Sequence, residues 1–96
     1  MNRRDYLVTY DICDDKRLRS VFKTMRGYGE HVQYSVFRCA LTKTEMTELM
    51  AKLSHLIHHH VDQVLIFHLG PYPERKPRVR PIGRAYQATP AGSRVY

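Results

Sequence analysis

Asp11 is the first side chain whose type and setting could do chemistry. It lies near the end of an apolar run, Tyr10-Asp11-Ile12, with Asp14 and Asp15 close behind. A carboxylate at a strand end emerges at the sheet edge and admits two readings. One is a cap for the helix that follows. The other is a ligand for magnesium or manganese, hard cations that take one or two carboxylates and complete their shell with water and substrate phosphate. One Asp per chain makes a thin metal site, but a two-fold axis would bring two together. Asp14 and Asp15 read as helix caps. Arg17 and Arg19 follow at the start of that helix, either meeting phosphate beside its free backbone N–H groups or simply solvated.

Other reactive residue types are less promising. His55, His58 and His59 stand at i, i+3 and i+4 with His60 beside them, a spacing that permits a transition-metal contact. They sit at a fraying helix end without an evident carboxylate or cysteine partner, so no physiological metal is expected there. His31 and His68 read as strand histidines, and His31 has no obvious partner for a general base. Cys13 and Cys39 form no C-x-x-C pair and no disulfide framework. Gly27-Tyr28-Gly29 is too short for a phosphate-binding glycine fingerprint and reads as a helix stop.

Charge points toward polyanions. Sixteen Lys and Arg stand against nine Asp and Glu, a net charge of +7, and Arg is the side chain whose planar fork fits phosphate oxygens best. The excess is concentrated in residues 71–96, where Glu74 alone opposes Arg75, Lys76, Arg78, Arg80, Arg84 and Arg94. A solvated basic surface and a nucleic-acid contact both fit that distribution. No apolar stretch reaches the 18 or so residues of a membrane helix, and the opening residues carry no apolar signal core. A reduced, cytoplasmic setting is expected, with no membrane partner.

The elements that must position these residues follow from periodicity. Residues 5–12 are rich in β-branched and aromatic side chains and predict a strand. Leu18, Val21, Phe22 and Met25 then form one helical stripe, capped by Asp14 or Asp15 and stopped at Gly27 and Gly29. Residues 30–41 return to strand chemistry, long enough for a tight hairpin near Tyr34-Ser35, although no Gly or Asn marks that turn. Thr42-Lys43-Thr44-Glu45 has the form of a capping box and opens a second helix with a stripe of Met46, Leu49, Met50, Leu53, Leu56 and Ile57. Residues 62–69 predict a strand that is apolar on both faces and stops at Gly70-Pro71. A connector containing Pro71, Pro73 and Pro77 leads to an extended stretch over residues 79–85.

The order β-α-β-β-α-β predicts an α+β, ferredoxin-like fold: an antiparallel sheet with two helices on one face. Residues 1–70 form the ferredoxin-like domain and residues 71–96 a Pro/Arg-rich extension. The other sheet face needs a cover, and a homodimer is the simplest one for a chain this small.

Tyr10-Asp11-Ile12, Asp14-Asp15-Lys16-Arg17, Tyr28-Gly29 and above all Val32-Gln33-Tyr34-Ser35-Val36-Phe37 resemble the small CRISPR-associated endoribonuclease family, over residues 5–70. The resemblance implies a homodimer of ferredoxin-like protomers that accompanies the CRISPR integrase in spacer acquisition. It implies that residues 79–85 form a strand added to the partner's sheet. It also implies that Asp11 binds Mg2+ or Mn2+, and that Tyr10, Arg17, Arg19, Ser35 and Phe37 match positions linked to nuclease activity. Phe37 is open to two roles, stacking on a base or packing in the core.

Two functions are compatible with this reading. The first is a metal-dependent endonuclease that hydrolyses phosphodiesters of RNA or DNA, with the arginines offsetting phosphoryl charge. The second is a non-catalytic adaptor dimer that bridges integrase subunits and binds the double-stranded spacer DNA. A stand-alone RNA-binding module is disfavoured by the lack of an aromatic-rich RNP-like strand.

Overall fold

A computed structural model of the chain describes residues 2–72 and 79–86. Six elements follow in order: β1 (Arg4–Asp11), α1 (Asp15–Arg26), β2 (Glu30–Gln33), β3 (Val36–Leu41), α2 (Lys43–Leu56) and β4 (Gln63–Pro71). The strands form one antiparallel sheet in the order β2-β3-β1-β4, the ferredoxin-like α+β arrangement. Arg75, Lys76, Arg78 and Arg94 of the basic extension lie outside the described residues. Residues 79–86 take bends and coil in the chain taken alone. Among the described residues no helix is long and apolar enough to cross a membrane.

Strand alternation decides what each face carries. Tyr6, Val8 and Tyr10 of β1 and Phe37, Cys39 and Leu41 of β3 point toward the helices. There they close a core with Val21 and Met25 of α1 and Met46, Leu49 and Leu53 of α2. Fully burying side chains of this size stabilises by about 1.5–3 kcal/mol each. The helices start where their caps dictate. Asp14 accepts from the Arg17 N–H, and Thr42 and Glu45 form the reciprocal capping box. Among the described residues no helix covers the opposite face. Along it Leu7 pairs with Phe67 and Thr9 with Leu65, and Leu65 and Phe67 are 44% and 47% exposed.

Gly29 is more than a helix stop. The helix ends at Arg26 with Gly27 as its cap, while a Cβ at Gly29 would lie 2.5 Å from Cys39 Sγ and 2.6 Å from the Arg38 carbonyl oxygen. Glycine is required there because β3 passes too close for any side chain.

The hairpin predicted at Tyr34-Ser35 forms without Gly or Asn, so Tyr34 itself takes the positive φ, 41°. The carbonyl of Tyr34 can only accept, so His31 Nε2 carries the proton in their 2.7 Å hydrogen bond. Two aromatic neighbours fix the imidazole: Phe22 meets it edge-on and Phe37 lies against it at 4.9 Å. A locked histidine thus holds the turn that tyrosine disfavours. As a residue 77% exposed, Tyr34 gains little from packing to offset its backbone strain. Tyr34→Gly is therefore expected to raise stability by about 1 kcal/mol, read as a higher urea midpoint; a lower midpoint would mean that the tyrosine ring anchors the turn.

Candidate active site

The residues singled out by sequence divide between the two faces at one end of the sheet. Asp11 is the last residue of β1, an inner strand, and pairs with Gln63 at the start of β4. Both are exposed, and Asp11 shares its parity with Leu7 and Thr9, so its carboxylate belongs to the open face. Asp11 therefore does not cap α1; Asp14 does. The β2–β3 turn is brought alongside, because Tyr10 N–H donates to the Ser35 carbonyl at 3.1 Å.

Tyr10, one residue earlier, faces the opposite way. It is buried, its ring stacks near Phe37 with centroids 6.3 Å apart, and its phenol is hydrogen-bonded to the Ser35 side chain. Burial pushes the phenol up to about 12, against a smaller opposing effect of the Ser35 bond. At neutral pH Tyr10 is protonated and is no base. Phe37 is fully buried among the rings of Tyr10, Phe22 and His31. Of its two possible roles, it takes the core one, and no base can stack on it without opening the fold.

Arg17 and Arg19 part company. Arg19 is exposed and carries no ion pair among the described residues. Arg17 is engaged by a carboxylate that sequence reasoning missed. Its Nε and Nη2 donate to Asp62 at 2.7 and 3.2 Å, and its Nη1 lies 4.0 Å from Asp14. Asp62 stands just before β4, 45 positions away in the chain, which is why spacing gave no hint of the pair. The Arg17 bonds hold the Asp62 carboxyl well below the usual carboxylate range, against the opposing cost of burial, and the Cys13 and His58 N–H groups add to the effect.

A second bidentate pair was equally hidden. Arg38 donates twice to Asp5, both bonds 2.9 Å, with Tyr72 set against the guanidinium. The histidines at the end of α2 stay local: His59 Nε2 bonds the Ser54 carbonyl at 2.7 Å, and the His58 and His60 rings are 5.8 Å apart. Among the described residues no three His, Cys, Asp or Glu side chains converge to hold a metal ion.

Fold and site together define a small, basic, ferredoxin-like α+β protein with an uncovered acid at the end of its first strand. Residues 4–76 match the family described as CRISPR associated protein Cas2, and the chain belongs to that family. It is 41% identical over 81 residues to a protein of Geobacter sulfurreducens named CRISPR-associated endoribonuclease Cas2, covering 84% of this chain and 85% of that one. It is 41% identical over 69 residues to a CRISPR-associated endonuclease Cas2 of Halalkalibacterium halodurans, covering 67% and 72%. Among solved structures it is similar to Streptococcus pyogenes Cas2, with a TM-score of 0.65, 37% identity, and coverage of 69% of this chain and 86% of that one.

The Asp62 carboxyl sets an acid limit. A group whose folded value lies below its unfolded value, about 3.9, stabilises fully above that value. As pH falls further, the unfolded chain takes up the proton before the folded chain does, and stability drops. Asp62→Asn has no carboxyl to titrate, so its stability should fall less steeply with acid than wild type below about pH 4. Parallel acid-unfolding curves for the two proteins would contradict this assignment.

Proposed function

We propose that the chain is a metal-dependent endonuclease of the adaptation stage of CRISPR defence, working as a homodimer on phosphodiesters of RNA or DNA beside the CRISPR integrase subunit. The observation that carries this reading is the position of Asp11. It stands exposed at the end of an inner strand, on the same uncovered face as Leu65 and Phe67. A second copy packed against that face buries the apolar side chains and brings two symmetry-related Asp11 carboxylates toward one axis. The names of the relatives, endoribonuclease and endonuclease, support the reaction type.

The donor chemistry fits a hard divalent cation. Asp11 supplies one exposed carboxylate per chain, and Mg2+ or Mn2+ characteristically binds one or two carboxylates and retains water. When bound, such an ion supplies Lewis-acid polarisation of a phosphoryl oxygen and a more acidic water. The chain's own residues do the rest. Among the described residues Arg19 has no carboxylate partner and can balance phosphate charge, and Arg17 has donors beyond the two that Asp62 takes. Tyr10 and Ser35 clamp the hairpin against the end of β1 and so fix the backbone that carries Asp11. Phe37 keeps that clamp rigid from inside the core. Residues 79–85 supply the strand that joins the partner's sheet.

Asp11→Asn keeps the shape of the side chain and removes its charge. It is expected to abolish Mg2+- or Mn2+-dependent cleavage while leaving the dimer intact, measured with chelator-treated and metal-restored protein. Equal cleavage by variant and wild type would place the chemistry elsewhere. Absence of cleavage in both would favour the adaptor function, with duplex DNA held and not cut.

Phe67→Glu places a charge in the face assigned to the partner. Sedimentation should then find monomers where wild type gives dimers at micromolar concentration, since an unpaired buried charge costs several kcal/mol. A dimer that survives the substitution would move the interface off this face.

A further inference from the structure

Asp62 is a buried acid for which the nuclease reading has no use, and the one whose bonds lie beside Asp11. Its side chain is fully enclosed, an expensive position for a carboxylate unless every oxygen is satisfied. Four donors satisfy it. Oδ1 accepts from the Cys13 N–H at 2.9 Å and from Arg17 Nη2 at 3.2 Å. Oδ2 accepts from Arg17 Nε at 2.7 Å and from the His58 N–H at 2.8 Å. The donors come from three separate segments: the loop leaving β1, the first turns of α1, and the loop that enters β4. Beside them the Cys13 thiol donates to the Val61 carbonyl at 3.0 Å, a second tie between the first and third segments.

These bonds bracket Asp11 from both sides. Cys13, two residues beyond it, is held by Asp62 through its amide. Gln63, the ladder partner of Asp11, follows Asp62 directly in the chain. One carboxylate therefore fixes both the backbone leaving Asp11 and the strand paired with it. The same carboxylate takes two of the Arg17 guanidinium donors and so decides which way the remaining ones face. A tie needed only for stability has cheaper solutions, since apolar side chains of similar volume commonly replace buried ion pairs without loss.

We propose that Asp62 is a positioning residue for the candidate active site, setting the place of the Asp11 backbone and the orientation of Arg17 without itself touching metal or substrate. This rests on the reading of Asp11 as the metal ligand. Groups that hold a ligand in place from behind typically change metal affinity or activity by about 10–100-fold when removed.

The chain carries its own reporters. Cys13 is exposed and Cys39 is buried, so a thiol reagent applied to native protein reads the Asp62 loop through Cys13, while protection of Cys39 reads the integrity of the core. Two variants separate positioning from simple loss of fold. Asp62→Asn removes the charge and one pair of acceptor bonds. Asp62→Glu keeps the charge and the ion pair but lengthens the arm.

With Cys39 still protected and the dimer intact, both should modify faster at Cys13. Both should also bind Mn2+ alone, followed by its electron paramagnetic resonance signal, about tenfold more weakly than wild type. Cleavage should lose kcat with little change in KM. Wild-type Mn2+ affinity and kcat in either folded variant would overturn the proposal, even if Cys13 reacts faster. Failure of the underlying reading has a different signature: Asp11→Asn would then bind Mn2+ as wild type does, and the positioning role would fall with it.

Discussion

A sheet has two faces, and among the described residues helices cover only one of them. Both helices pack over Tyr6, Val8 and Tyr10 of β1 and Phe37 and Cys39 of β3, leaving Leu65 and Phe67 uncovered on the other side. The period of two along a strand then assigns every functional side chain to a face. Tyr10 goes inward, where burial keeps its phenol protonated. Asp11 goes outward, onto the same face as the exposed Leu65 and Phe67. A slip of one residue in β1 would exchange them and put a carboxylate in the core.

Two paired arginines stiffen the two ends of this framework. Arg17–Asp62 joins the loop after β1 to the loop before β4, and Arg38–Asp5 closes the open face at its other end, beneath Tyr72. Both pairs are bidentate, the geometry in which a guanidinium fork gives direction as well as charge. Since neither arginine is an unpaired cation, the net charge of +7 is not a measure of what can meet phosphate. In the proposed function, exposed residues such as Arg19 carry that role.

Much of the fold was legible because local signals agreed. The capping box at Thr42, the Asp14 cap, the Leu18–Met25 stripe and the apolar strand over residues 62–69 each pointed to the element that forms. Asp11 stood out for the same reason, an acid closing an apolar run. The partner of Arg17 was not legible, since Asp62 lies 45 positions away and nothing local distinguishes it from a loop acid. The role of Gly29 was hidden likewise, because its neighbour is β3 and not the helix it follows. The hairpin was legible only by length, and it forms through a histidine lock where a glycine was the ordinary expectation. For Phe37, sequence left two roles open, and register in β3 decided between them.

In the proposed function the site is composite, with one Asp11 from each of two chains. Subunit exchange between wild type and Asp11→Asn tests it most directly. Mixed in varying ratio and allowed to re-equilibrate, the dimers form statistically, and only those with two carboxylates hold a complete site. Metal-dependent cleavage per total protein should then follow the square of the wild-type fraction, about a quarter of full activity at equal mixing. A linear dependence on that fraction would mean that each chain works alone, and would contradict the account.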